Sequence, residues 1–169
     1  SLGFGFIGFI DDYTKLEEVL EKYADVIDVA LIQLNYMDWN DQRIQSKKIH
    51  RICVKYGVEI QVMEPIKGGT LINIPDDIEK QFEDYSDNSI ADLALRFAAS
   101  QENVTVVLSG MSNLEQMKEN CETFKNFEKI TPEDHKFLMK MAREIKKGFA
   151  IDCSFCNYCL KDCEMNIPI

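Results

Sequence analysis

The chain has 169 residues, the length of one domain, and its 19 basic and 29 acidic residues give a net charge of −10. That sign argues against nucleic acid, whose binders need a basic surface to displace counterions, and against an anionic membrane surface, which attracts polybasic segments. With 46% hydrophobic, 10% aromatic and 28% charged residues the composition is that of an ordinary globular chain and excludes a disordered acidic tail. No apolar stretch approaches the ~20 residues of a membrane helix. Residues 2–10 are too short for a signal peptide, follow no basic residue and show no small-residue cleavage pattern, so a cytoplasmic protein is expected.

In chain order, the first apolar run, 2–9, predicts a strand. Residues 13–23 place Leu16, Val19, Leu20 and Tyr23 on one side at spacings of three and four, which predicts a helix. A second apolar run, 26–34, is followed by a helical pattern over 41–56 carrying Ile44, Ile49, Ile52, Cys53 and Tyr56, with Gly57 as its stop. Residues 58–63 form a third run, and an insertion at 72–86 reads as a loop and a short helix. Ser89 caps a helix over 90–100 that leads to a fourth run, 104–108. Ser112-Asn113-Leu114-Glu115 is a capping-box sequence opening 114–124, and Thr131-Pro132-Glu133-Asp134 opens a last helix running to about Lys147. The apolar runs show little period-two alternation, which predicts strands buried on both faces.

Strand starts near 2, 26, 58 and 104 give steps that fit one strand plus one returning helix, lengthened once by the insertion. Repeated βα units imply an α/β fold with a parallel sheet and right-handed crossovers. A closed (β/α)8 TIM barrel takes about 250 residues. Four units followed by a tail therefore read as the second half of a barrel with the first half missing. The rival is a small doubly wound sheet, and periodicity does not separate the two. A half-barrel leaves apolar edges open, so self-association is expected. The composition changes at Gly148, dividing the chain into a βα portion, 1–148, and a cysteine-rich, ferredoxin-like tail, 149–169.

Of six cysteines, four stand together as Cys153-x2-Cys156-x2-Cys159-x3-Cys163. Thiolates at these offsets come from a loop that can wrap an iron–sulfur cubane, and the spacing is the bacterial ferredoxin run, except that Glu164 replaces the usual proline. A 4Fe–4S cluster held by Cys153, Cys156, Cys159 and Cys163 is the expectation. Zinc is the competing ligand, but it prefers two separated pairs, and unligated thiols this close would be prone to oxidation. In ferredoxins with two clusters the fourth cysteine of a run serves the other cluster, so the second hypothesis is that Cys163 belongs to a further cluster whose remaining ligands lie downstream.

Two glycine-bearing turns follow strands: Lys67-Gly68-Gly69 and Ser109-Gly110-Met111-Ser112. Backbone amides there, with a helix starting at Asn113, suit an anion; tight βα turns are the plain alternative. His50, among Lys47, Lys48 and Arg51, reads as a solvated surface residue, and His135 as a residue opening the last helix. Neither is a metal ligand. Cys53 and Cys121 are expected on buried helix faces. Tyr36, Met37 and Trp39 are read as packing groups, and Met111, Met117, Met139 and Met141 as core filling.

Three segments together carry a family resemblance: Ile32-Gln33-Leu34-Asn35-Tyr36, Val62-Met63-Glu64-Pro65-Ile66-Lys67-Gly68-Gly69, and Leu108-Ser109-Gly110-Met111-Ser112-Asn113-Leu114-Glu115-Gln116 with Glu119-Asn120. They resemble segments of the aldo/keto reductases, and the ending Cys163-Glu164-Met165-Asn166-Ile167-Pro168 resembles the tail of the iron–sulfur subgroup. The resemblance covers the chain from the fifth barrel strand through the eighth helix into the first cysteine run. It implies an oxidoreductase that reduces a small carbonyl substrate by hydride transfer from NADP or NAD in reduced form, with a redox partner protein for the cluster. The family's catalytic groups come from the first half of the barrel, so no catalytic residue is carried over and this segment alone is expected to be inactive.

The resemblance implies cofactor contacts at Gln33, Met63, Glu64, Ile66, Ser109, Gly110, Met111, Ser112, Gln116, Glu119 and Asn120. Gln33 matches the glutamine on the nicotinamide carboxamide, and Met63 stands where many members have a stacking tyrosine. Gly5 and Phe6 replace a polar pair, while Gly110 and Gln116 replace the two cations on the 2′-phosphate, which weakens any preference for NADP. The alternative function is a non-catalytic module, either an iron–sulfur electron carrier or a zinc-stabilised domain.

Overall fold

The computed structural model describes the backbone of Leu2–Gly5 together with residues 13–148; Phe6 and the cysteine run at 153–163 lie outside the described residues. Four strands, β1 (Leu2–Gly5), β2 (Ile27–Gln33), β3 (Glu59–Met63) and β4 (Val104–Val107), form one parallel sheet in the order β1-β2-β3-β4. Helices α1 (Tyr13–Tyr23), α2 (Ser46–Lys55), α3 (Asp76–Tyr85), α4 (Ile90–Ala99), α5 (Leu114–Lys125) and α6 (Pro132–Lys147) alternate with or follow them. Every strand sits beside its predecessor, so each crossover advances the sheet in one direction. Right-handed crossovers that never reverse put their helices on one face, as in a barrel wall. A doubly wound sheet reverses at a switch point, and this sheet has none.

The register aligns Ala30 with Ile60 and Ile32 with Val62, and these four side chains are fully buried in the main core. The alternate residues, Val29, Leu31, Gln61 and Met63, remain half-buried. Strands β2 and β3 are therefore covered on one face only, which corrects the expectation of burial on both. The apolar runs lack alternation because both faces carry apolar residues, not because both are covered.

Helix boundaries follow local chemistry. Residues 41–45 do not join α2, because the Asp41 carboxylate accepts hydrogen bonds from the amides of Arg43 and Ile44 and Gln45 adopts φ 56°. Gly57, at φ 69°, ends the helix as expected. Ser89, Asn113 and Thr131 cap α4, α5 and α6, the last through a reciprocal capping box with Asp134 and a proline in the first turn. The capping residue of α5 is thus Asn113, one position later than the sequence pattern suggested.

The helices bury different amounts. On α6, Leu138, Met141, Ala142 and Ile145 are core, whereas α5 buries only Asn120 and Thr123 and exposes Leu114, Met117 and Phe124. Two expectations fail there. Cys121 is exposed, and Met111 and Met117 are 43% and 50% exposed, so they fill no core, while Met141 does. Both failures have one cause: α5 packs against α4, and nothing among the described residues covers its outer side.

His50 is also corrected. It is 7% exposed, and its Nε2–H donates to the Glu102 carbonyl at 2.9 Å, linking α2 to the turn before β4. Trp39 packs against His50, His135 and Phe97, with ring centroids 5.4, 6.4 and 5.5 Å away, and the buried Tyr36 meets Phe97 edge-on. Tyr36, Met37 and Trp39 are packing groups, as expected.

Burial lowers the pKa of both histidines; the Glu102 carbonyl opposes this at His50, and Lys47 adds to it at His135. An unfolded histidine titrates near about 6.5, so below that value the unfolded chain binds more protons and stability falls as pH drops toward the folded values. Urea midpoints measured on either side of that value are expected to be lower on the acid side. The fluorescence of Trp39, the one tryptophan, should report the same transition.

Candidate functional site

The C-terminal ends of β2 and β3 converge on a buried polar hub. Asp38 and Lys67 are 2% and 3% exposed, and Lys67 Nζ donates to Asp38 Oδ1 at 2.7 Å and Oδ2 at 2.9 Å. Gln33 Nε2 and Asn35 Nδ2 also donate to Oδ2, at 2.7 and 2.8 Å. Asn35 in turn bonds the Glu64 carbonyl and accepts from the Asp38 amide, and the Ser46 hydroxyl donates to the Gln33 carbonyl. A buried carboxylate with this many donors is satisfied, which a buried charge requires.

The hub fixes the loop after β3. Glu64 and Lys67 adopt φ of 56° and 49°, and Gly68 and Gly69 are left-handed too. A Cβ on Gly69 would meet Asn73 Nδ2 at 3.3 Å, so the turn needs glycine there. Lys67 is committed to Asp38, and the amides of Gly69 and Thr70 go to Ile66 and Lys67 carbonyls. The Lys67-Gly68-Gly69 turn therefore uses the amides of Lys67, Gly69 and Thr70 in local bonds, as a tight turn does.

This loop forms one wall of a cleft of about 630 Å³, within the range of ligand pockets. The segment after β4 and the start of α5 form the other wall. Met63, Glu64, Ile66, Ser109, Gly110, Met111, Ser112, Gln116, Glu119 and Asn120 all line it, ten of the eleven positions that the resemblance marks for a cofactor. The eleventh, Gln33, is 5% exposed and is not in the lining; it pairs in register with Met63, and its amide nitrogen is held by Asp38. Of Gly5 and Phe6, the first ends β1 and the second is outside the described residues.

The far wall is also internally bonded. Gln116 Oε1 accepts from the Ser112 amide at 2.8 Å, and Asn113 Oδ1 accepts from the Gln116 amide at 2.8 Å. Asn120, 8% exposed, donates to the Ser109 hydroxyl at 3.0 Å and so ties α5 to the strand end. The Ser89 hydroxyl donates to the Glu119 carboxylate, joining α4 to α5. Glu64 and Glu119 are the charged residues of the lining, which holds no lysine, arginine, histidine or tyrosine among the described residues. Such a lining can bind and orient a ligand; it offers no basic or phenolic group for proton transfer.

Asp38 is the residue that sequence reasoning missed. Its available signal was three polar residues, Gln33, Asn35 and Asp38, interrupting an apolar stretch. Among the described residues no group of histidines, cysteines and carboxylates is arranged to hold a metal ion, and no helix is long and apolar enough to cross a membrane.

Replacing Asp38 by alanine strands the Lys67 ammonium and two amides, and should cost about 3–5 kcal/mol in a urea unfolding measurement. Lys67→Met should cost less, because Asp38 keeps its bonds from Gln33 and Asn35.

Comparisons with known proteins agree with this geometry. A search of curated proteins gives no significant match. Among solved structures, the holo form of the aldo-keto reductase AKR11C1 from Bacillus halodurans shares 20% identity with a TM-score of 0.60, over 81% of this chain and 49% of that one. The thermostable aldo-keto reductase Tm1743, solved with the inhibitor epalrestat, shares 19% identity with a TM-score of 0.56, over 75% of this chain and 44% of that one. The chain spans about half the length of these two proteins. The pattern of the aldo/keto reductase family matches residues 2–143, most of the sequence, and the chain belongs to that family.

Proposed function

We propose that this chain is the C-terminal, nucleotide-binding portion of an NAD(P)H-linked carbonyl reductase, with residues 1–148 as the barrel portion and 149–169 as an iron–sulfur segment. The observation that carries the reading is the convergence of ten family cofactor positions, drawn from two loops more than forty residues apart, on one cleft. Met63 presents a thioether at the end of β3, beside the hub that orients Gln33. Ser109, Ser112, Gln116 and Asn120 supply neutral polar groups along the opposite wall. When bound, the nucleotide supplies the hydride; the residues of this chain bind and orient it.

No proton donor stands in the lining. The Tyr36 hydroxyl is buried without a partner among the described residues and is not part of the lining, so it does not reach a substrate in the cleft. The chain is therefore inactive alone, and a second βα portion completes the reductase. The edges that such a portion would cover carry no charge: β1 is Leu-Gly-Phe-Gly and β4 is Val-Thr-Val-Val. In its absence the chain self-associates.

The donor set Cys153, Cys156, Cys159 and Cys163 suits a 4Fe–4S cluster, since four thiolates in a short run match its ligand requirement. The cluster would pass electrons to a redox partner protein. Three measurements test these readings. Fluorescence titration is expected to show nucleotide binding, with no carbonyl reduction by the chain alone; turnover would overturn the assignment of an incomplete site. Light scattering is expected to give a mass above one chain, and a monodisperse monomer would count against the open edges. Protein purified without oxygen should contain iron and acid-labile sulfide, lost in Cys156→Ser, whereas zinc in their place would refute the cluster.

A further inference from the structure

We infer that the cleft selects a dinucleotide whose adenosine ribose is an unphosphorylated diol, NAD(H) in preference to NADP(H); this rests on the nucleotide reading above. The argument is electrostatic. The charged groups of the lining are two carboxylates, Glu64 and Glu119, and no cation balances them there among the described residues. The nearby lysine of the β3 loop, Lys67, is withdrawn into the ion pair with Asp38. Arg96, on α4, is bonded to Asp92 and to the carbonyls of Asn126 and Glu128.

Part of the neutral donor set at the start of α5 is also engaged. The first turn of α5 gives the Ser112 amide to Gln116 and the Gln116 amide to Asn113. This leaves the amides of Leu114 and Glu115 as first-turn donors without an acceptor among the described residues. Two amides and a helix dipole can meet one phosphate of a pyrophosphate bridge. A further dianion in the same cleft would lie within about a Debye length, ~8–10 Å, of a carboxylate, with no cation in the lining to balance it. A ribose diol brings hydroxyl donors, which a carboxylate accepts. Glu119, fixed from one side by the Ser89 hydroxyl, is suited to that role.

The test is a titration of the full chain with NADH and with NADPH at fixed ionic strength. NADH is expected to bind at least about tenfold more tightly, a difference of ~1.4 kcal/mol, with the gap narrowing as salt rises. Gln116→Arg and Glu119→Gln, both away from the core, should each narrow the gap or reverse it. Equal or tighter binding of NADPH by the unaltered chain overturns the preference while leaving the nucleotide reading intact. Binding of neither nucleotide overturns the nucleotide reading and the preference with it.

Discussion

Where the ends of β2 and β3 meet, an ammonium and a carboxylate are held almost wholly away from water, and the surrounding loops are arranged to make that tolerable. Asp38 collects bonds from Lys67, Gln33 and Asn35, while Asn35 holds the Glu64 carbonyl. Two adjacent strand ends and the loop after β3 are therefore one bonded unit. A pair of this kind contributes little net stability over apolar packing, but losing one partner is costly, so it acts as a constraint on geometry. What it constrains is the wall of the cleft that begins at Met63.

The opposite wall uses a different device. Its residues come from the segment after β4, whose strand is short and exposed, and order is supplied by side-chain bonds from α5: Gln116 to Ser112, Asn120 to Ser109. Both walls are tied together by bonds within the protein. The cleft that results is neutral to acidic in a chain that is already strongly acidic. That property bears on the ligand more directly than the fold does, since one barrel architecture hosts many chemistries.

The central strands β2 and β3 are covered on one face. Helices cover Ala30, Ile32, Ile60 and Val62, while Val29, Leu31 and Met63 on the other side keep partial access to water. The outer side of α5 exposes Leu114, Met117 and Phe124, and the β4 segment exposes Val106 and Leu108. An apolar helix face and an uncharged strand edge are surfaces that a neighbouring βα unit covers in a barrel. The chain spans about half the length of the two related structures.

The local and periodic features were legible in the sequence. Strand and helix alternation, the caps at Ser89 and Thr131, and the stop at Gly57 depend on residues a few positions apart, and propensity and periodicity record such neighbours. The spacing of the four clustered cysteines is legible for the same reason, as a ligand pattern within one short run. The tertiary structure alone decided the pairing of Asp38 with Lys67, 29 residues apart, and of His50 with Glu102, 52 apart. It also decided which apolar residues stay uncovered, as Cys121, Met111 and Met117 do. Such outcomes depend on which strand lies beside which, in what register, and on what covers a helix's outer side. A one-dimensional pattern marks a residue as able to be buried, but burial itself needs a neighbour, and the fold supplies or withholds it.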